Sequence, residues 1–248
     1  MVAACAVCVA GGSDTGGVNN AEDTIEVRAK LEAFDKGEAT LEQVTEPGGE
    51  TWGRKMVAYY LAHSNAVTTK MKLPISRCYM AMENYPEAAK LAQEYVNVFS
   101  NDWRGWRIIG GANYLTENFE AAVNAYTNAV RLGNVESSAP LALAALKTER
   151  FDVFREIVPG LLRLKDAKET QYGKRLEIVM ALVMYSLSTN QEDVFEKAIY
   201  GLLANDVLSR GDLEFLVKQG CDLFKSAESA RLCAELVKAP RTNPRTPN

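Results

Sequence analysis

The sequence predicts an all-α fold built from antiparallel helix hairpins, and three observations lead to that prediction. From Ala21 onward the apolar residues recur at helical spacing, and strand-like alternation bounded by turns is hard to find. The predicted loops are short, so neighbouring helices should pack antiparallel. A chain of 248 residues is also long for one compact core, whereas a repeat array grows in one dimension without that limit.

The helical spacing divides the chain into successive segments. The predicted helices are 21–35, 40–46, 50–62, 66–83, 86–98, 102–116, 119–132, 136–148, 151–164, 170–188, 191–204, 211–225 and 228–238. Pro74 and Pro159 fall inside helical patterns, and each should start, kink or divide its helix because proline has no backbone N–H. The sequence TEPGGE at 45–50 is the clearest internal break.

An internal repeat accounts for the regular spacing of small and aromatic residues in WRIIGGANYLTENFEAAVNAYTNA, residues 106–129. Shifting the chain by thirty-four residues places similar residues on one another: Ile75 on Ile109, Ser76 on Gly110, Met80 on Tyr114, Tyr85 on Phe119 and Ala88 on Ala122. Thirty-four residues is the length of a helix–turn–helix repeat.

These residues resemble the tetratricopeptide repeat family, whose pattern is W-x2-L-G-x2-Y, then A-x3-F, then P. The matching residues are Trp106, Ile109 and Gly110, followed by Ala122 and Tyr126, while Asn113 takes the tyrosine position with Tyr114 beside it and Asn134 takes the proline position. The resemblance implies a right-handed α-solenoid over 21–238. It would comprise a helical cap (21–68), the best repeats (69–136) and degenerate hairpins (137–238).

Packing distance explains why the repeat needs small residues. Two helices approach closely only where small side chains meet, so Gly110 and Ala122 should let the helices interlock. The larger side chains should fill the flanks of that contact: Trp106, Ile109, Phe119 and Tyr126. Phe154 stands where the third unit should have alanine, so the repeat weakens beyond residue 136.

The resemblance also implies a concave groove lined by the first helix of each repeat. Its positions correspond to Arg104, Arg107, Gly111 and Tyr114 in the best repeat, and to Lys70, Leu73, Arg77 and Met80 in the preceding one. Such a basic surface with apolar patches suits a protein or peptide with acidic groups, because guanidinium offers a planar fork of donors. The alternative is that Arg104 and Arg107 are ordinary solvated charges.

Composition and motifs argue against several other functions. The net charge of −4 provides no general field for binding nucleic acid. No motif indicates a cofactor. A hydrolase built around the lone histidine, His63, or around Asp14 in a DTG triplet is the competing class, but no nucleophile motif accompanies either residue. The sequence therefore predicts a non-enzymatic interaction scaffold.

Residues at the two ends carry no helical pattern. The segment 1–20 reads as a flexible tether or as part of an export signal, because VAAC at 2–5 resembles a lipobox that would make Cys5 a lipidation site. That interpretation predicts a periplasmic or envelope-anchored bacterial protein with a lipid as its only membrane attachment. A cytoplasmic protein with a small-residue N-terminus is the alternative. The proline-rich segment 239–248 predicts a disordered tail.

The cysteines suggest neither a metal site nor a dense disulfide framework. There are five, and the C-x-x-C pair Cys5 and Cys8 has no second pair to complete a zinc site. Cys221 and Cys233 fall on successive predicted helices and could face each other. Separate burial as small apolar residues is the favoured interpretation.

Overall fold

The fold is all-helical wherever the computed structural model describes the chain, which is at residues 21–45, 49–166, 172–203, 218–224 and 226–238. These ranges contain α-helices and short 3-10 helices, and no strand. The all-α part of the predicted fold class is thereby confirmed. Cys5, Asp14 and the predicted tail 239–248 lie outside the described residues.

The chain divides into two compact units, Met1–Glu83 and Asn84–Asn248. The helices of the first unit are α1 (Ala21–Lys36), α2 (Leu41–Thr45), α3 (Gly49–Ala62) and α4 (Lys72–Ala81), with a 3-10 helix at Ser64–Ala66. A capping box begins α2, because the Thr40 hydroxyl accepts from the Gln43 N–H at 3.2 Å and the Gln43 side chain accepts from the Thr40 N–H at 2.8 Å. Trp52 is buried and donates to the Val44 carbonyl at 2.7 Å, which joins α3 to α2.

The second unit continues the helical chain. Its helices are α5 (Tyr85–Val96), α6 (Trp103–Leu115), α7 (Phe119–Arg131), α8 (Ser138–Lys147), α9 (Phe151–Asp166), α10 (Tyr172–Thr189), α11 (Glu192–Leu203), α12, of which 218–223 are described, and α13 (Ala227–Lys238), with a 3-10 helix at Val135–Ser137. From α5 to α11 each helix packs against the next, and α13 packs against α11. A continuous apolar core runs from Ala122 on α7 to Cys233 on α13.

The turns within successive helix pairs share one backbone conformation. Glu117, Glu149 and Asn190 each have a φ between 54° and 60°, in the left-handed region that ends a helix. The N–H of the following residue reaches back to a carbonyl of the preceding helix: Asn118 to Asn113 at 2.8 Å, Arg150 to Ala145 at 2.8 Å, and Gln191 to Ser186 at 3.0 Å. Glu83, thirty-four residues before Glu117, has the same sign of φ at 58°. The interval from Glu83 to Glu117 thus equals the shift read from the sequence, whereas the following intervals, to Glu149 and to Asn190, are 32 and 41 residues.

Helix bounds agree closely with the prediction except at one place. The predicted helix 66–83 is wrong in its first third, because the α-helix begins only at Lys72 after a 3-10 turn and an irregular segment. Pro74 lies in the first turn of α4, where its missing N–H breaks no helical hydrogen bond. Pro159, by contrast, lies inside α9, which continues past it to Asp166.

Candidate interaction surface

The stripe predicted on the first helix of the best repeat lies on one partly exposed side of α6. Asp102 caps this helix by accepting from the Arg104 N–H at 3.0 Å, so α6 begins at Trp103. Spacings of three and four then place Arg104, Arg107 and Tyr114 along one side of the helix. The side chains of Arg104 and Tyr114 are partly exposed, and that of Arg107 is exposed.

Arg104 is held against the start of its own helix. Its guanidinium forms a bidentate pair with Asp102, with the shortest contact at 2.6 Å, and Asp102 also accepts from the Tyr95 hydroxyl at 2.5 Å. Burial would raise the pKa of Asp102, but the hydrogen bonds from Arg104 and Tyr95 outweigh it and lower that pKa. Arg104 therefore organises the junction between α5 and α6.

Arg107 and Tyr114 are more accessible to a partner. Arg107 pairs with Glu136 at 3.2 Å, and both side chains are about half exposed, at 43% and 58%. Such an exposed pair contributes about 0–1 kcal/mol, so an incoming carboxylate can replace Glu136 at small cost. Tyr114 packs edge-on against Phe119, with ring centroids 5.4 Å apart, and its ring rests partly on the apolar core.

The repeat residues meet as predicted in part. Ile109, Gly110, Ala122 and Tyr126 are buried. A Cβ added to Gly110 would lie 2.7 Å from the Tyr126 ring, so the glycine accommodates that ring, while the sequence had suggested contact with Ala122. Burial raises the pKa of Tyr126 to about 12, which keeps its hydroxyl neutral.

Two aromatic residues of the repeat are less buried than predicted. Trp106 and Phe119 are only partly covered. The Trp106 indole N–H donates to the Ser100 carbonyl at 2.8 Å, so the ring lies over the turn before α6. The close contact in this helix pair therefore depends on Gly110 and Tyr126 more than on the tryptophan.

The stripe residues of the first unit have their own partners. Lys70 precedes α4 and donates to the Asp35 carbonyl at 2.6 Å, while Arg77 pairs with Glu42 at 3.4 Å. Met80 is partly exposed. Leu73, which the resemblance placed on the same stripe, is fully buried and cannot contact a partner. For this unit, a binding surface formed by Lys70, Arg77 and Met80 stays a prediction.

His63, around which an enzyme was considered, is exposed just after α3. Its ring lies 4.8 Å from that of Tyr59, and the imidazole makes no hydrogen bond to any described residue. The described residues also contain no group of histidine, cysteine and carboxylate side chains that could hold a metal ion.

The interpretation of Cys221 and Cys233 as separate buried residues is wrong. Their sulfur atoms form a disulfide at 1.97 Å, and the two Cα atoms are 5.9 Å apart, which joins α12 to α13. The prediction failed because the sequence does not show how closely two successive helices approach. Cys78 is a buried free thiol near the Met56 sulfur, and burial raises its pKa to about 12.

The sequence did not predict a polar cluster that lies at the start of α13. Ser229 is fully buried, and its hydroxyl lies 3.0 Å from Glu192 and 3.2 Å from Glu196 of α11. Ser226 donates its N–H to Glu192 at 3.1 Å and its hydroxyl to Glu196 at 2.9 Å. The sequence SAES before an apolar run is a recognisable helix start, but it does not reveal that carboxylates from another helix complete the cap.

None of the described helices combines the length and apolarity needed to cross a bilayer. The chain matches no family model and no curated protein.

Proposed function

We propose that the protein is a non-enzymatic scaffold of stacked antiparallel helix hairpins, similar to a tetratricopeptide repeat array, that binds a protein or peptide. The observation that carries the proposal is the repeat itself. Glu83 and Glu117 share a left-handed turn conformation at the same thirty-four-residue shift that aligns the sequence. Repeat arrays of this kind commonly act by presenting an extended surface.

The binding surface in this proposal is the α6 stripe of Arg107 and Tyr114. A comparable stripe occurs on α8, where Pro140, Leu143 and Lys147 follow the same three-and-four spacing and are partly or fully exposed. Both stripes combine a basic residue with an apolar one. We therefore infer a partner with acidic and apolar side chains, since guanidinium and carboxylate form strong charge-assisted pairs.

An exported location forms part of the proposal. The disulfide between Cys221 and Cys233 favours an oxidising compartment, because cytosolic thiols are normally kept reduced. The lipobox-like VAAC sequence points the same way. In this proposal the protein works in a bacterial envelope assembly, either free or held by a lipid on Cys5.

A comparative pull-down tests the surface. Wild-type protein, Arg107→Glu and the control Arg131→Glu, an exposed arginine of α7 outside the stripe, are used as bait on envelope extracts. A true partner should bind Arg107→Glu at least about tenfold more weakly, because attraction becomes repulsion. It should bind the control like wild type, and its binding should weaken with salt.

Arg107 is a better test position than Arg104. Reversing Arg104 would also place a carboxylate against Asp102 and disturb the start of α6. Arg107→Glu loses only one exposed ion pair, so its melting temperature should match wild type. A partner that binds Arg107→Glu normally and Arg131→Glu poorly would show that the scaffold uses another face.

A further inference from the structure

A pocket of about 230 Å³ opens on the first unit beside the only histidine of the chain. Its polar wall is formed by Arg28 and Glu32 of α1 and by Tyr59 and His63 at the end of α3. None of these residues belongs to the stripe discussed above. The pocket is thus a candidate site separate from the α6 stripe.

Arg28 and Glu32 present opposite charges side by side. Arg28 donates from Nε to Glu32 at 2.7 Å, and the two side chains are 66% and 40% exposed. This hydrogen bond lowers the pKa of Glu32, which is therefore ionised at neutral pH. The terminal nitrogens of Arg28 and the second oxygen of Glu32 make no hydrogen bond to the described residues. They remain available for a ligand.

Tyr59 and His63 likewise make no side-chain hydrogen bond to the described residues, although Tyr59 interacts electrostatically with Arg28. Tyr59 is 9% exposed, yet its hydroxyl makes no hydrogen bond to any described residue. A buried tyrosine hydroxyl normally has a partner. The His63 imidazole, packed against the Tyr59 ring, also has none within the described chain. Both groups line the pocket and can therefore form a hydrogen bond with a ligand.

The floor of the pocket is apolar. Ala66 is exposed and Met71 is 5% exposed, and both line the pocket, with the fully buried Leu31 behind them. The volume is below the range of about 300–1,000 Å³ that is usual for sites of drug-sized ligands. A small molecule with a short apolar part fits these dimensions better than a nucleotide or a sugar chain.

We propose that this pocket binds a free amino acid with an apolar side chain. The ligand carboxylate pairs with the terminal nitrogens of Arg28, and its ammonium pairs with Glu32. The apolar side chain lies on Ala66 and Met71 beside the His63 ring. A free amino acid is the class of ligand that carries both charges on one carbon atom, which matches two opposite charges one helical turn apart.

The single histidine makes the test direct, since its imidazole proton signal needs no assignment. The signal is followed by NMR at constant pH while L-phenylalanine, 2-phenylethylamine or 3-phenylpropionate is added. Phenylalanine should produce a saturable shift. The amine and the acid should bind at least about tenfold more weakly, because each leaves one protein charge without its partner.

Variants locate the binding. Arg28→Met and Glu32→Gln should each weaken phenylalanine binding about tenfold or more, while folding is preserved because the pair is exposed. Arg131→Met, in the second unit, should bind like wild type. The proposal is overturned if phenylalanine gives no saturable shift up to about 10 mM, if 3-phenylpropionate binds as well as phenylalanine, or if Arg28→Met binds like wild type.

Discussion

The α6–α7 pair and the α11–α13 end of the second unit are held together in different ways. In α6–α7 the closest approach is apolar, with the Tyr126 ring against Gly110. At the α11–α13 end a glycine again accommodates an aromatic ring, since a Cβ on Gly220 would lie 2.1 Å from Phe195. There, however, a disulfide and a network of serines and carboxylates are added.

The α6–α7 pair lies where the thirty-four-residue shift aligns the sequence well, and the α11–α13 end lies beyond that part of the chain. Where the repeat is good, shape complementarity between side chains joins the helices. At the α11–α13 end the disulfide and the polar network supplement such packing. The region between them shows the transition, because Phe154 fills the expected alanine position and stacks on Tyr185 of α10 at 4.3 Å.

Removing the disulfide should have the largest effect and should act only on the C-terminal end. The double variant Cys221→Ala/Cys233→Ala should lose about 3 kcal/mol of unfolding free energy, the value expected for a loop of this length. In thermal melts a reductant should lower the midpoint of wild type but not of the double variant. Cys78→Ala should keep the sensitivity to reductant. If reductant leaves the melting midpoint of the wild-type protein unchanged, the disulfide assignment is contradicted.

Gly110→Leu should destabilise the α6–α7 pair by about 1–3 kcal/mol, because the side chain would be forced into the Tyr126 ring. Urea denaturation measures the loss. The matched pair Gly110→Ala and Gly160→Ala sharpens the test. Gly160 lies in α9 with nothing within 4 Å of an added Cβ, so this variant should gain about 0.5–1 kcal/mol while Gly110→Ala loses stability. Equal effects at both positions would show that Gly110 is not a contact.

Acid should weaken the α11–α13 end through Glu192, with the smallest of the three effects. Hydrogen bonding from Ser226 and Ser229 lowers the pKa of Glu192 below its ordinary value of 4.5. Between the folded pKa and 4.5, the unfolded chain therefore binds more protons than the folded chain. The stabilisation of the folded state by ionised Glu192 is fully present above pH 4.5 and is lost as the pH falls through the folded pKa.

Melting temperatures between neutral and acidic pH test the contribution of Glu192. Glu192→Gln should flatten the acid side of the profile relative to wild type. Asp193→Asn is the matched control, because Asp193 lies on the same turn, is exposed and pairs with Lys197 of its own helix. The assignment fails if Asp193→Asn flattens the profile as much as Glu192→Gln does.

Much of the fold could be predicted from the sequence. The helical spacing located nearly every described helix to within a few residues, because periodicity is a local property of the chain. The start of α4 was misplaced, since residues 66–71 have helical composition but adopt a 3-10 turn and an irregular segment. Candidate stripe residues could be named by spacing, yet the partners of Arg104 and Arg107 could not.

The sequence by itself determined the all-α class, the helix order and the thirty-four-residue repeat, because these depend on residue type and spacing along the chain. Only the tertiary structure decided that Tyr126 packs on Gly110, that Cys221 bonds Cys233 and that Glu192 accepts from Ser226 at the start of α13. It also brought Arg28 and Tyr59 to one pocket. Each of these contacts joins residues from different helices, and their distances depend on how helices approach in space, which local spacing does not specify.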